Sequence, residues 1–373
     1  MSYKVKSILI ISLLFLIFIF LSFKFKSFIL LIISLSILSL SLLLVTKINK
    51  NILLIYFTSL LSIILVEIFL KVDLSDFLKD EKISMNDKIV TNFNNFKYEK
   101  TYLGNQLKKG SYNHYKKESE NFIFNVDYKI DDQNFRINPL IKNDKNKLLK
   151  ISFFGGSDVF GWGLKENETL PYLFYEENKN YNVFNFGIIG GGAHQALHMM
   201  QRDKKYVGDI NVIVTSSYHL PRIACNRDYS FNSPSYKIKG EKLIYDGYCI
   251  FPFLKLNFQI PKIFGSILNR SEIIILLRNI FSNEYSDENI KLYIEILKEI
   301  KRITIEENKK MVVLYYGPKK EIDKKIKDLF LKNNISNLDV SLLEKKYFIK
   351  HDKHFNKLAN TIWYNKLSQY LLN

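Results

Sequence analysis

The stretch Phe153-Phe154-Gly155-Gly156-Ser157-Asp158-Val159-Phe160-Gly161-Trp162-Gly163 decides the fold of this chain. The residues that lead into it, Leu148–Phe154, are a short apolar run typical of a buried strand, and the Glu-rich residues after Leu164 are typical of a helix. Ser157 is therefore predicted where a strand turns into a helix, with its hydroxyl beyond the sheet edge. Backbone N–H groups at such a turn can stabilise an anion. A serine that only caps the helix is the alternative.

From residue 147 onwards, short apolar runs alternate with helical stretches. This alternation predicts a parallel sheet covered by helices on both faces, which binds ligands beyond the carboxyl ends of its strands. The predicted strands are Leu148–Phe154, Asn182–Phe186, Asn211–Ser217, Met311–Tyr316 and Ser336–Leu342, and the helices between them include Asp287–Ile305 and Lys319–Leu331.

Residues 225–283 interrupt this alternation. They are predicted to form a hairpin around Lys239-Gly240-Glu241 and a helix from Ser271 to Ile280. An insertion of this kind commonly shapes a substrate site.

Three nearly uncharged runs lie near the amino terminus, at residues 7–23, 27–46 and 52–70. Each has about the ~20 residues that cross a bilayer as a helix, so we predict a membrane region over residues 1–72 with three transmembrane helices. A cleaved signal peptide is the alternative for the first run, but no small-residue cleavage site follows it. The lysine distribution favours a cytoplasmic amino terminus and places the rest of the chain on the extracytoplasmic side of the inner membrane.

The polar lead-in, residues 73–146, contains one clearly alternating segment, Asn121–Ile130, which predicts a half-buried strand. A turn at residues 131–134 and the segment Phe135–Ile137 complete a predicted hairpin. We expect this lead-in to pack on the main domain instead of folding by itself.

The net charge of the 373-residue chain is +17, from 54 Lys and Arg against 37 Asp and Glu. The lysines are scattered without a basic stripe, so an acidic membrane surface or an anionic envelope polymer is a better partner than nucleic acid. No phosphate-binding loop or metal-ligand spacing occurs, and no cofactor or metal is predicted. The two cysteines, Cys225 and Cys249, are either paired in a disulfide or free.

Two further motifs follow the Ser157 turn. The second predicted strand runs into three glycines, Gly190 to Gly192, whose N–H groups can face the same crevice, although a flexible loop is the alternative. Near the carboxyl end, His351-Asp352-Lys353-His354 precedes an amphipathic helix at Leu358–Leu372. An acid and an imidazole in such a loop can reach a serine at a strand end, or they are simply solvated.

These three motifs resemble the SGNH (GDSL-like) hydrolase superfamily, in particular its membrane-attached bacterial members, over about residues 147–373. The matching segments are GGSDVFGWGLKENETLPY, NFGIIGGGAHQAL and DKHFNKLAN, and the lead-in YKIDDQNFRINP is similar to the segment before the domain in those members. The resemblance implies a three-layer α/β/α sandwich, a nucleophile at Ser157, and an acid and base at Asp352 and His354. It also implies oxyanion donors from the N–H groups of Ser157 and Gly190.

The chain departs from the family pattern at three places. Gly156 stands where the family often has Asp. The family usually has the acid three residues before the base, as Asp-x-x-His, but here Asp352 is two residues before His354 and His351 stands at the usual acid position. The third block should contain Gly-x-Asn-Asp but is TSSYHLPR, residues 215–222. His219 or Ser217 is then the candidate for the missing oxyanion donor. Arg222 is the candidate for holding an anionic substrate group, and each of these residues has a purely structural alternative.

The resemblance implies acyl transfer through Ser157. With water as acceptor the chain is an esterase or deacetylase, and with a sugar hydroxyl it is an O-acyltransferase. The expected substrate is an ester-bearing envelope glycan or lipid. A membrane protein is a further candidate partner. The alternative is a catalytically silent SGNH-fold binding module in envelope polysaccharide assembly, which the altered third block favours.

Overall fold

The computed structural model describes residues 63–64, 89–92, 95–144, 149–251, 254–260, 271–281 and 283–372. The chain divides into two compact units, one with Met1–Met85 and Ile260–Ser282 and the other with Asn86–Gln259 and Asn283–Asn373. The described part of the first unit contains the helix α5 (Glu272–Phe281), and all other elements named below belong to the second.

The second unit consists of strands and helices in the following chain order. The strands are β1 (Ile89–Thr91), β2 (Tyr98–Thr101), β3 (Gly104–Leu107), β4 (Gly110–Glu118), β5 (Asn121–Ile130), β6 (Arg136–Ile137), β7 (Leu149–Gly155), β8 (Tyr181–Gly187), β9 (Ile210–Ser216), β10 (Pro234–Lys239), β11 (Lys242–Phe251), β12 (Leu254–Leu256), β13 (Lys310–Tyr316) and β14 (Asn337–Asp339). The helices are α1 (Ser157–Phe160), α2 (Leu170–Glu177), α3 (Ala193–Arg202), α4 (Leu220–Ile223), α6 (Asp287–Glu306), α7 (Lys320–Lys332) and α8 (Lys357–Leu372).

The central sheet has five strands in the order β14-β13-β9-β7-β8, and every neighbouring pair is parallel. The first strand of this sheet in the chain, β7, lies between the second, β8, and the third, β9. The direction in which the chain builds the sheet therefore reverses at β7. Ligands bind parallel sheets in the crevice at such a reversal, beyond the carboxyl ends of the strands.

Helices cover both faces of the central sheet. Successive side chains of a strand point to opposite faces, and accordingly Phe154 packs with α3, α6 and α7, whereas Phe153 packs with α2 and α8. The side chains of β9 and β13 divide between the same two clusters. The unit is therefore α/β with a parallel sheet between two layers of helices.

The prediction of three transmembrane helices is wrong for the part of the chain that the structure describes, because none of its helices is long and apolar enough to cross a bilayer. The longest of these helices, α6, has 20 residues but carries many charged side chains, such as Lys298 and Arg302. The predicted spans at 7–23, 27–46 and 52–70 lie outside the described residues apart from 63 and 64. The fold class is therefore corrected to α/β. The predictions of membrane helices and of an integral location in the inner membrane are withdrawn.

The lead-in forms an antiparallel sheet with the strand order β1-β4-β5-β6. β5 occupies the residues of the predicted alternating segment, and β6 pairs with its end through Ile130 and Arg136. One face of this sheet, including Val126 and Tyr128, packs on Phe160 and Trp162, which follow Ser157 in the chain. The lead-in sheet therefore packs directly against the turn that carries the candidate nucleophile.

The insertion after α4 contains a second antiparallel sheet, β10-β11-β12, in which Lys239 and Lys242 flank the hairpin turn. Cys225 follows α4 and is bonded to Cys249 of β11 in a disulfide, 24 residues apart. The cross-link ties the segment after α4 to the hairpin.

We predict that Cys225→Ser/Cys249→Ser lowers the free energy of unfolding by about 3 kcal/mol, because a cross-link over a loop of this length reduces the entropy of the unfolded chain. Urea unfolding of the oxidised protein and of the variant measures the difference. Wild-type protein with reductant is the control and should unfold like the variant. Alkylation of both thiols in unreduced, denatured wild-type protein would contradict the pairing.

Candidate active site

Ser157 is the first residue of α1, immediately beyond the carboxyl end of β7, and only 5 % of its surface is exposed. The neighbouring strand β8 ends at Gly187 directly against this helix. A Cβ atom at Gly187 would lie 2.2 Å from the backbone nitrogen of Phe160, so only glycine permits this close approach. Ser157 thus lies where a strand turns into a helix, as the sequence predicts, and the structure adds that this strand is the reversal point of the sheet.

His354 and Asp352 lie in the loop before α8 and reach Ser157 in a relay. His354 Nε2 is 2.9 Å from Ser157 Oγ, and His354 Nδ1 is 2.5 Å from Oδ1 of Asp352. The same carboxylate oxygen accepts the backbone N–H of His354 at 3.1 Å. Since a carboxylate can only accept, Nδ1 carries the proton, and Nε2 is left to accept from the serine hydroxyl. The structure therefore brings the three predicted catalytic residues together.

His351, the other candidate for the acid position, has a different partner. Its Nε2 lies 2.7 Å from Oε1 of Glu118 on β4. Asp352 is the residue that is hydrogen-bonded to His354, so the unusual two-residue spacing still gives a carboxylate–imidazole pair.

Lys116 is a site residue that the sequence analysis missed. Its Nζ lies 3.1 Å from Oδ2 of Asp352, with side-chain exposures of only 15 % and 13 %, and it also donates to the carbonyl of His351. Burial opposes the charged form of Asp352, but the hydrogen bond with His354 and then the charge of Lys116 hold the pKa of this carboxyl well below its usual value. Lys116 belongs to the lead-in sheet, 236 residues before Asp352, and no local pattern marks it.

Gly190 lies in the loop after β8 with φ of 74°, a left-handed conformation that favours glycine. The loop is attached to the end of β7 because the N–H of Ile188 donates to the carbonyl of Gly155 at 3.0 Å. Tyr229 packs against it, and a Cβ atom at Gly190 would lie 2.9 Å from that ring. The oxyanion role of the Gly190 N–H, like that of the Ser157 N–H, stays a prediction.

His219 is fully buried next to the nucleophile turn. Tyr293 OH donates to Thr215 Oγ1 at 3.1 Å, and Thr215 Oγ1 lies 3.1 Å from His219 Nδ1. When the threonine hydroxyl donates to Nδ1, the imidazole proton is on Nε2. Among the described residues Nε2 has no hydrogen-bond partner, and it lies 3.4 Å from the position of a Cβ atom at Gly156.

The electrostatic surroundings keep the His219 ring neutral. Burial, followed by the charge of Arg222 and the neighbouring His194, holds the pKa of His219 well below its usual value of 6.5. The His219 ring is thus neutral and lies beside Gly156. Ser217, the other candidate, is also buried, and its Oγ likewise has no hydrogen-bond partner among the described residues. The oxyanion role of either side chain stays a prediction.

Arg222 extends from α4 toward the same turn. Its Nη1 donates to the carbonyl of Gly191 and would lie 2.7 Å from a Cβ atom at Gly156. The ring of Tyr229 covers the guanidinium at 5.3 Å. The structure therefore places this predicted substrate-binding cation directly beside the residue that precedes the nucleophile.

Comparison of the chain with protein-family models finds no match, and comparison with curated proteins finds no significant similarity. The resemblance to SGNH hydrolases therefore stays a prediction that depends on the three sequence motifs. Among the described residues no cluster of three or more His, Cys, Asp or Glu side chains is arranged to hold a metal ion.

Proposed function

We propose that the chain is a serine esterase, deacetylase or O-acyltransferase of the SGNH type that acts on an ester-bearing glycan or lipid. The observation that carries the proposal is the continuous relay from Ser157 through His354 to Asp352, with contacts of 2.9 and 2.5 Å. Nucleophile, base and orienting acid at hydrogen-bonding distance are the geometry that acyl transfer by serine needs.

In the first half of the reaction, His354 Nε2 removes the proton of Ser157 as Oγ attacks the ester carbonyl. The tetrahedral intermediate collapses when the C–O bond to the alcohol breaks, and His354 returns the proton to the leaving oxygen. In the second half, water or an acceptor hydroxyl loses its proton to His354 and attacks the acyl-serine. The acyl C–O bond to Ser157 breaks, His354 returns the proton to Oγ, and the free acid or the new ester is released. Asp352 holds the imidazole in the required tautomer throughout.

The oxyanion of the intermediate is stabilised by N–H donors that surround the turn. The backbone N–H groups of Ser157 and Gly190 supply two of them, and the Nε2–H of His219 supplies the third. A neutral, buried donor is favourable here because it needs no reorganisation as charge develops on the carbonyl oxygen. This arrangement provides a side-chain donor even though the third block has no asparagine.

The face next to Ser157 offers an aromatic surface for the substrate. Tyr229 is 48 % exposed, packs on Gly190 and covers Arg222. An exposed ring beside a nucleophile gives an apolar face for a sugar ring or an acyl chain, in keeping with a glycan or lipid ester.

We predict that Ser157→Ala and His354→Ala each lower the ester hydrolysis rate by about 10⁴-fold or more, because the two residues act as one unit. Ser157→Ala should also abolish labelling by a fluorophosphonate. Ser119→Ala, at the exposed turn between β4 and β5, is the matched control and should keep near wild-type rates. Full hydrolysis by the folded Ser157→Ala protein would refute the serine mechanism, and a wild-type protein without labelling or hydrolysis would support a silent binding module.

We predict that Lys116→Met moves the acid limb of the pH–rate profile upward by about half to one pH unit. Lys116 helps to keep the Asp352–His354 pair deprotonated, so without its charge the pair gains a proton more readily and loses it only at higher pH. His114 and Tyr128, on which the charge of Asp352 acts, are unchanged in the variant.

The control variants for this prediction are Lys116→Arg, which should keep the wild-type profile, and Lys117→Met on the same strand. The Lys117 ammonium lies 4.4 Å from the ring of Phe122 and has no described contact with Asp352. Lower thermal stability of Lys116→Met with an unchanged pH–rate midpoint would show that Lys116 is only structural.

We predict that His219→Ala lowers kcat by about 10- to 1000-fold with a smaller change in KM, as expected when one oxyanion donor is removed. His219→Gln should recover part of the loss, because an amide N–H can replace the imidazole N–H. An unchanged kcat in folded His219→Ala would remove His219 from the oxyanion hole and leave the relay intact.

A further inference from the structure

Arg222 is a cation that no carboxylate neutralises within the described part of the chain. Two other arginines of the same unit have acidic partners, Arg227 with Glu284 at 2.9 Å and Arg302 with Glu299 at 2.7 Å, whereas Arg136 donates to three backbone carbonyls. The contact of Arg222 is with a backbone carbonyl, that of Gly191. Asp158, the acid that follows Ser157, accepts a hydrogen bond from Tyr316 instead.

The guanidinium is also partly removed from water. The residue is half-buried, its Nε is fully enclosed without a hydrogen-bond partner among the described residues, and Tyr229 lies over its face. A desolvated charge without a counter-ion is costly, and the cost falls when an anion binds next to it.

The groups packed around Arg222 leave its charge uncompensated. Burial and then Arg222 itself lower the pKa of His194 to about 3, and His219 is likewise neutral. Both rings are buried and have nitrogen atoms without described partners. Arg222 therefore has two neutral imidazoles as neighbours and no described counter-ion, which suits an anionic ligand with oxygen acceptors.

Gly156 allows this charge to lie directly against the nucleophile turn. A Cβ atom at this position would lie 2.7 Å from Arg222 Nη1 and 3.1 Å from the carbonyl of Gly191, so any side chain there would displace the guanidinium. Glycine permits the close approach. A group bound by Arg222 is consequently placed next to the scissile bond of an ester attacked by Ser157.

We propose that the preferred substrate is an ester with a carboxylate close to the scissile bond, and that Arg222 binds this carboxylate. The proposal deepens the proposed function and rests on it. The carboxylate is either part of the acyl group, as in a half-ester of a dicarboxylic acid, or part of the alcohol, as in an acylated acidic sugar. Both sources present the same anion to the guanidinium.

Three small esters test this proposal and distinguish the two sources: neutral phenyl acetate, monophenyl succinate with the carboxylate in the acyl group, and 4-carboxyphenyl acetate with the carboxylate in the alcohol. For each ester, the kcat/KM of the protein is divided by the second-order rate constant for hydrolysis of the same ester by hydroxide. We expect wild-type protein to prefer one anionic ester over the neutral ester by about tenfold or more, the size of effect expected for a charge-assisted hydrogen bond. Arg222→Gln should reduce this ratio to about one, and Arg222→Lys should keep part of it. Arg227→Gln removes an exposed arginine of the same segment and should keep all of it.

A binding measurement separates failure of this proposal from failure of the serine mechanism. Ser157→Ala should bind the preferred anionic ester about tenfold or more tightly than Ser157→Ala/Arg222→Gln does, and this comparison needs no turnover. Equal affinities, or an equal kcat/KM ratio in wild type and Arg222→Gln, would overturn the role of Arg222 even if Ser157 is the nucleophile. Retention of the affinity difference in a protein without serine-dependent hydrolysis would support the anion site and refute the esterase.

Discussion

The guanidinium of Arg136, only 3 % exposed, holds the chain immediately after the nucleophile. It donates to the carbonyls of Phe160, Gly161 and Leu164 at 2.7 to 3.0 Å and lies 4.6 Å from the ring of Tyr128. The first two carbonyls end the short helix α1, where intrahelical donors are missing. An unpaired buried charge would cost several kcal/mol, so these bonds are what makes the buried arginine tolerable. The turn that carries Ser157 therefore has its conformation because Arg136 binds three of its carbonyls.

Arg136 belongs to the lead-in sheet, and the same sheet holds the other half of the candidate active site. Lys116 of β4 contacts Asp352, and Glu118 two residues later contacts both His351 and Lys350. The nucleophile turn and the acid–base loop come from distant parts of the chain, and one antiparallel sheet binds both. The lead-in is in this sense part of the candidate active site, although none of the three relay residues lies in it.

The sequence was sufficient for the features that local pattern determines. The apolar run before Gly155 and the alternation of Asn121–Ile130 each identify a strand at nearly its observed bounds. β14 is shorter than predicted because the chain leaves the sheet after Asp339, where the Ser341 hydroxyl accepts from the N–H of Gly317. β4 was missed because its Asn, His and Lys residues appear too polar for a strand, whereas the structure buries His114 against Trp162 and Phe124. Lys116 and Arg136 act through contacts made only in the folded chain, which no local spacing encodes.

The distribution of unsatisfied polar atoms bears on whether the site catalyses a reaction or only binds. His219 Nε2, both ring nitrogens of His194 and Nε of Arg222 are buried without described partners, and Arg222 and both histidines lie next to the turn of Ser157 or the glycine loop beside it. Each such atom costs about 1–3 kcal/mol. A ligand with anionic oxygens beside Ser157 removes part of this cost. In the proposed acyl transfer the oxyanion of an ester attacked by Ser157 is one such ligand, and a carboxylate bound by Arg222 is another, so these atoms mark an anion-binding site in both interpretations.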